Sequence, residues 1–236
     1  MFQSPTFQSP LHMASEIGGI DMVWYILQNL TTKLTKDDNG YTPIHKAAAY
    51  GHSEIVNVLV NYTDNPNEPK TDGWTPIQIA AKQGHVEVIK KLVNFIQTPP
   101  NAPTPKGWTP IQLATGHGHT EVVKYLVNYS ENPIAINPNG WSPIHVAAQK
   151  GYLEIVQILS AFTQTPNIPS GNNWTPLQLA AGKLISRKKN SVVISEYKEF
   201  SREYACACIP QNIKKRLVEL QAHIMISFSL CRKWTR

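Results

Sequence analysis

Gly73-Trp74-Thr75-Pro76-Ile77-Gln78-Ile79-Ala80-Ala81-Lys82-Gln83-Gly84-His85-Val86-Glu87-Val88-Ile89 decides the fold, because the stretch recurs along the chain. Its hydroxyl-Pro-apolar start stands at Ser9-Pro10-Leu11-His12, Thr42-Pro43-Ile44-His45, Thr75-Pro76-Ile77-Gln78, Thr109-Pro110-Ile111-Gln112, Ser142-Pro143-Ile144-His145 and Thr175-Pro176-Leu177-Gln178. The proline-to-proline steps are 33, 33, 34, 33 and 33 residues. A period in that range marks an array of supersecondary units, each unable to bury its apolar face alone.

Each copy carries the chemistry of a helix start. Thr or Ser is a preferred N-cap, and Pro fits the next position, where a backbone N–H would lack an intrahelical partner. Gln78, Gln112 and Gln178, three residues after the hydroxyl, can reach back as in a capping box, and His12, His45 and His145 can do the same. Small pairs follow (Ala47-Ala48, Ala80-Ala81, Ala147-Ala148) and allow close helix approach. Gly51, Gly84, Gly118 and Gly151 then fall eight residues after each Pro, which predicts a first helix of about two turns.

A second helix opens with an acid suited to the helix dipole: Asp21, Glu54, Glu87, Glu121 or Glu154. Apolar sets recur behind it at i, i+1, i+4 and i+5, among them Met22/Val23/Ile26/Leu27, Ile55/Val56/Leu59/Val60 and Val88/Ile89/Leu92/Val93. That is one face of an amphipathic helix. Pro/Asn-rich stretches separate the helix pairs, and Asn39-Gly40, Asp72-Gly73, Lys106-Gly107 and Asn139-Gly140 mark turns at their ends.

A Gly-ended turn, an aromatic, Thr-Pro-Ile/Leu-His, two Ala, Gly-His and a Val/Leu-rich second helix resembles the ankyrin repeat family, over residues from about 7 to 182. The resemblance implies an all-α solenoid of helix-turn-helix units with short β-turn or hairpin fingers. Five full repeats (the first lacking its finger) and an incomplete sixth fill residues 1–182, and a non-repeat tail fills 183–236. One departure recurs. The family's Gly-Ala after the second helix is missing, and stretches such as Tyr62-Thr63-Asp64-Asn65-Pro66-Asn67 stand there instead.

The sixth repeat breaks the pattern. Leu184 stands where the terminating Gly is due, Arg187 where the acid is due, and Lys188 and Lys189 at the first two core positions. Burying two unpaired ammonium groups would cost several kcal/mol, so the repeat is not expected to finish. Residues 1–182 hold ten Lys, no Arg and twelve acids, a net charge of −2, whereas residues 183–236 carry twelve Lys/Arg and four acids, a net charge of +8. Helix-like spacing returns at Val193, Tyr197, Phe200, Tyr204 and at Ile213, Leu217, Leu220, Ile224. The tail is read as a helical cap or a partly disordered, unrelated segment.

Enzyme chemistry finds no foothold. No nucleophile-base arrangement, phosphate loop or paired-carboxylate motif is present, so no enzymatic activity and no cofactor are expected. Six of the eight His sit at two fixed repeat positions, where hydrogen bonding accounts for them. His117 and His223 have no partners at a zinc spacing. Cys206-Ala207-Cys208 lacks the two-residue spacer of redox and metal pairs. The sequons at Asn29, Asn61, Asn128 and Asn173 are explained more cheaply by repetition. With no long apolar run and no secretory signal at Met1-Phe2-Gln3-Ser4-Pro5, a cytoplasmic or nuclear protein without membrane insertion is expected. The array is slightly acidic, so direct nucleic-acid binding is not expected.

The leading expectation is a non-catalytic interaction module. It would bind a protein partner through finger tips and, as the resemblance implies, the concave helix face. Candidate contacts are the aromatic before each Thr/Ser-Pro (Tyr41, Trp74, Trp108, Trp141, Trp174) and the finger residues Asp38, Lys70, Asp72, Lys106 and Asn139. Trp and Tyr are enriched at interface hot spots, but a purely structural ladder is the competing account. The alternative function is a regulatory adaptor. Its basic clusters, Arg187-Lys188-Lys189 and Lys214-Lys215-Arg216, would direct nuclear entry or recruit another complex, and Leu230-Cys231-Arg232 resembles part of a ubiquitin-ligase adaptor box.

Overall fold

Each Thr/Ser-Pro starts a helix. A computed structural model describes residues 9–29, 34–96 and 99–188, the last six of these by their backbone alone. The chain divides into two compact units, residues 1–132 and 133–236. The first contains α1 (Pro10–Ile17), α2 (Ile20–Gln28), α3 (Pro43–Tyr50), α4 (Ser53–Leu59), α5 (Pro76–Gln83), α6 (Val86–Val93), α7 (Pro110–His117) and α8 (Thr120–Leu126). The second contains α9 (Pro143–Lys150), α10 (Leu153–Ser160) and α11 (Pro176–Lys188). All regular elements among the described residues are helical.

The caps form as the residue types require. Thr42, Thr75 and Thr109 accept from the backbone N–H three residues on, and His45, Gln78 and Gln112 accept in return from the cap N–H. At the other end Gly51 and Gly84 adopt φ of 82° and 89°, a region L side chains avoid. A second constraint acts at these two positions. A Cβ on Gly51 would lie 2.7 Å from His85 Nδ1, and one on Gly84 would lie 2.5 Å from His119 Nδ1. The rings occupy that space because their Nε2 atoms donate to the preceding repeat, His85 to Ala49 O (3.1 Å) and His119 to Lys82 O (3.0 Å).

Within the first unit, first helices stack on first helices (α1 on α3, α3 on α5, α5 on α7), and α2, α4, α6 and α8 form a parallel row. Ala47, Ala48, Ala80, Ala81 and Ala114 are fully buried, which is the close approach the small pairs anticipated. Ile55, Val88 and Val122 fill the core at the first apolar position of the second helix. Met22 holds the same position in α2 and is 54% exposed. Among the described residues no repeat precedes α2 to cover it, so the expected core set of that helix reduces to Val23 and Leu27, with Ile26 half-buried.

In the second unit α9 packs against α10 and α11. With Leu184 in place of glycine, α11 runs for 13 residues, against eight in α9. It crosses the 182/183 boundary without a break. The helix-like spacings at 193–204 and 213–224, Lys189, the second basic cluster, the three Cys and His223 lie outside the described residues.

Candidate partner-binding face

Every finger is built on one hydrogen-bond frame. The N–H of residues 37, 70, 104, 137 and 170 donates to the carbonyl four residues later, which belongs to Tyr41, Trp74, Trp108, Trp141 and Trp174 in turn. The aromatic's own N–H is held by a side-chain oxygen of the turn: Asp37 (2.8 Å), Asp72 (3.2 Å), Thr104 (3.1 Å), Asn137 (3.0 Å) and Ser170 (3.2 Å). Gly40, Gly73, Gly107 and Gly140 take the left-handed position of the turn, and Asn173 takes it in the last finger at φ 61°. Asn is the side chain that best tolerates that region.

The preceding cap holds the first two aromatics from below. His12 Nε2 donates to Tyr41 O (2.8 Å) and His45 Nε2 to Trp74 O (3.1 Å). Because His45 Nδ1 accepts from the Thr42 N–H (3.0 Å), the ring is the neutral Nε2–H tautomer. Burial pushes its pKa down to about 4, against the raising effect of the bond to Trp74 O. Burial likewise lowers His12 and His145. In the second unit His145 Nε2 donates to Ile168 O (2.9 Å). Gln78 makes the equivalent outward bond with its amide, to Ala102 O (3.1 Å).

The rings are neither core nor free. Tyr41, Trp74, Trp108 and Trp141 are half-buried, and Trp174 is 40% exposed. Each stands just before its N-cap, five residues ahead of Lys46, Ile79, Leu113, Val146 or Leu179 at the fourth helical position. That is the spacing of a hydrophobic staple, and it explains why an aromatic recurs there. In α3 the staple partner is cationic, and Lys46 Nζ lies 4.9 Å from the Tyr41 ring centroid. The spacing was visible in the sequence and gives the structural half of the ladder.

Of the finger residues, Lys70 joins two others. Its ammonium sits 4.7 Å from the Tyr41 ring and pairs with Asp72. Asp38 and Lys106 are exposed at their tips. Asn139 is exposed in the second unit, where its carbonyl abuts Gly171 and Gly171 N–H donates to Gly140 O (3.3 Å). Trp74 carries Lys82 Nζ at 5.6 Å.

Two sets of residues escaped the sequence reading. Asn67, Asn101 and Asn167 stand in the Pro/Asn-rich stretches, and each Oδ1 accepts from an N–H ten residues on, in Ile77, Ile111 and Leu177 (3.2, 3.1 and 3.0 Å). They are second caps for the first helices, signalled by a fixed Asn-to-Pro spacing. Tyr62, Phe95, Tyr129 and Phe162 are exposed, each nineteen residues after its Pro. They form a second aromatic series at the ends of the second helices.

A family model described as ankyrin repeats (3 copies) matches residues 11–100, 60–136, 94–170 and 132–190. The chain belongs to the ankyrin-repeat family. Members are generally protein-protein interaction modules and typically non-catalytic. No individual curated protein matches the chain. No helix among the described residues is long and apolar enough to cross a membrane.

Proposed function

We propose that the finger-and-first-helix face of the first unit docks a protein partner. Tyr41, Trp74 and Trp108 are its anchors, and Asp38, Lys70, Asp72 and Lys106 are its polar contacts. Trp141, Trp174 and Asn139 are the corresponding contacts offered by the second unit. One observation carries this reading: each anchor's backbone is locked by the finger frame while part of its ring stays in water. A large ring held in this way loses little conformational freedom on binding, which is how aromatic anchors gain affinity. The role is non-catalytic, and six His side chains are committed to caps and inter-repeat bonds. The protein would act as a scaffold or adaptor in cytoplasm or nucleus.

A photo-cross-linking residue at position 106 tests this in cells. It should trap a discrete protein partner that the same residue at position 61, on the second-helix side, does not. Equal trapping at both positions contradicts the assignment.

A further inference from the structure

We infer that the segment docked on this face is an acidic chain carrying apolar or aromatic residues, held at Trp74 and Trp108 and by the exposed cations Lys82 and Lys106. The inference rests on the docking role proposed above and adds the chemistry of the partner.

Around Tyr41 the charges close on one another. Lys36 pairs with Glu68 (2.7 Å), Lys46 with Glu16 (3.2 Å) and, at 4.0 Å, with the buried Asp37, and Lys70 with Asp72. On the second helices Lys90 pairs with Glu87 (2.7 Å) and Lys124 with Glu121 (2.8 Å). The face of the third and fourth repeats differs. Lys82, in the last turn of α5, and Lys106, at the next finger tip, are exposed, and among the described residues neither has a carboxylate partner.

The other titrating groups there do not cancel them. Asp72 is already taken by Lys70, and His117 is exposed with Nδ1 on Leu113 O (3.0 Å). The face therefore presents excess positive charge beside two half-exposed indoles, although the repeats are acidic as a whole. A carboxylate reaching Lys82 would bring its neighbouring side chain towards the Trp74 ring, over which that ammonium now lies. Complementary charge of this kind selects partners and speeds their encounter more than it adds affinity. Each exposed pair is weak, so the apolar contacts at the indoles must supply most of the binding.

The test uses the full chain, a random Glu–Tyr copolymer and a random Lys–Tyr copolymer, read by hydrogen exchange and mass spectrometry. Reading protection segment by segment separates this face from the basic residues of 183–236. The Glu–Tyr copolymer should slow exchange in segments 70–83 and 104–117. Its half-saturating concentration should rise about tenfold in Lys82→Glu/Lys106→Glu and at high salt, and stay within about twofold in Lys90→Glu/Lys91→Glu. No protection of those segments, or equal effects of the two charge reversals, overturns the inference. Protection by the Lys–Tyr copolymer instead overturns the acidic class and leaves the docking face standing. The docking face itself falls by the cross-linking result at position 106.

Discussion

Replacing His45 by Gln should make the protein resist mild acid. His45 is fully buried, accepts on Nδ1 from the Thr42 N–H and donates from Nε2 to Trp74 O. The bond on Nδ1 needs the neutral ring, and burial lowers its pKa from 6.5 to about 4. A depressed histidine pKa means that the unfolded chain binds the proton first. Its contribution to stability is therefore complete above pH 6.5 and is lost as the pH falls from 6.5 towards 4. With those two values the loss between pH 7.5 and pH 5 is about 2 kcal/mol. Gln offers the same acceptor and donor without titrating, as Gln78 does with Thr75 N–H and Ala102 O. Urea unfolding at pH 7.5 and pH 5 checks this. Wild type and His45→Gln should agree within about 1 kcal/mol at the higher pH, with the variant ahead by about 2 kcal/mol at the lower. Carboxylates titrate in both proteins and cancel in the comparison. An equal loss in both would refute the assigned tautomer and its burial.

Other expectations follow from single contacts. Gly51→Ala should cost about 2 kcal/mol or more in urea unfolding, from the positive φ together with the clash on His85. In a His85→Ala background its cost should drop to about 1 kcal/mol, the backbone share alone. Ser15 Oγ is buried with no hydrogen-bond partner among the described residues, at a place where other repeats carry Ala48, Ala81 and Ala148. Ser15→Ala should therefore raise stability by about 1 kcal/mol in a thermal melt. Asn67→Ala removes the acceptor of Ile77 N–H and should cost about 1 kcal/mol, measured in the same way.

The repeat was legible because its chemistry is local. Thr42, Pro43, His45 and Gly51 each act within about two turns of helix, so spacing alone located caps, helix lengths and the missing stop at Leu184. Gly84 was harder. A left-handed terminator is readable from sequence, but the His119 ring filling the place of its side chain comes from the next repeat. The site was legible only in outline. The aromatic positions stood out, whereas the hydrogen-bond frame that fixes the Trp74 backbone in its finger joins groups that no residue type names. Whether a cation is paired depends on neighbours in three dimensions, so Lys82 carried no signal, while Lys70 drew notice without revealing its pairing to Asp72. Met22 shows the reverse failure. Its periodicity marked it as core, yet it is 54% exposed.

The docking role of the aromatic ladder meets its most direct test in Trp74→Leu/Trp108→Leu, which keeps an apolar staple residue and removes the indoles. Affinity for the partner trapped at position 106 is measured by calorimetry beside urea unfolding of the same variant. A docking ladder predicts at least a tenfold loss of affinity with stability within about 1 kcal/mol of wild type. Unchanged affinity with a stability loss of about 3 kcal/mol would make the ladder structural and contradict the account.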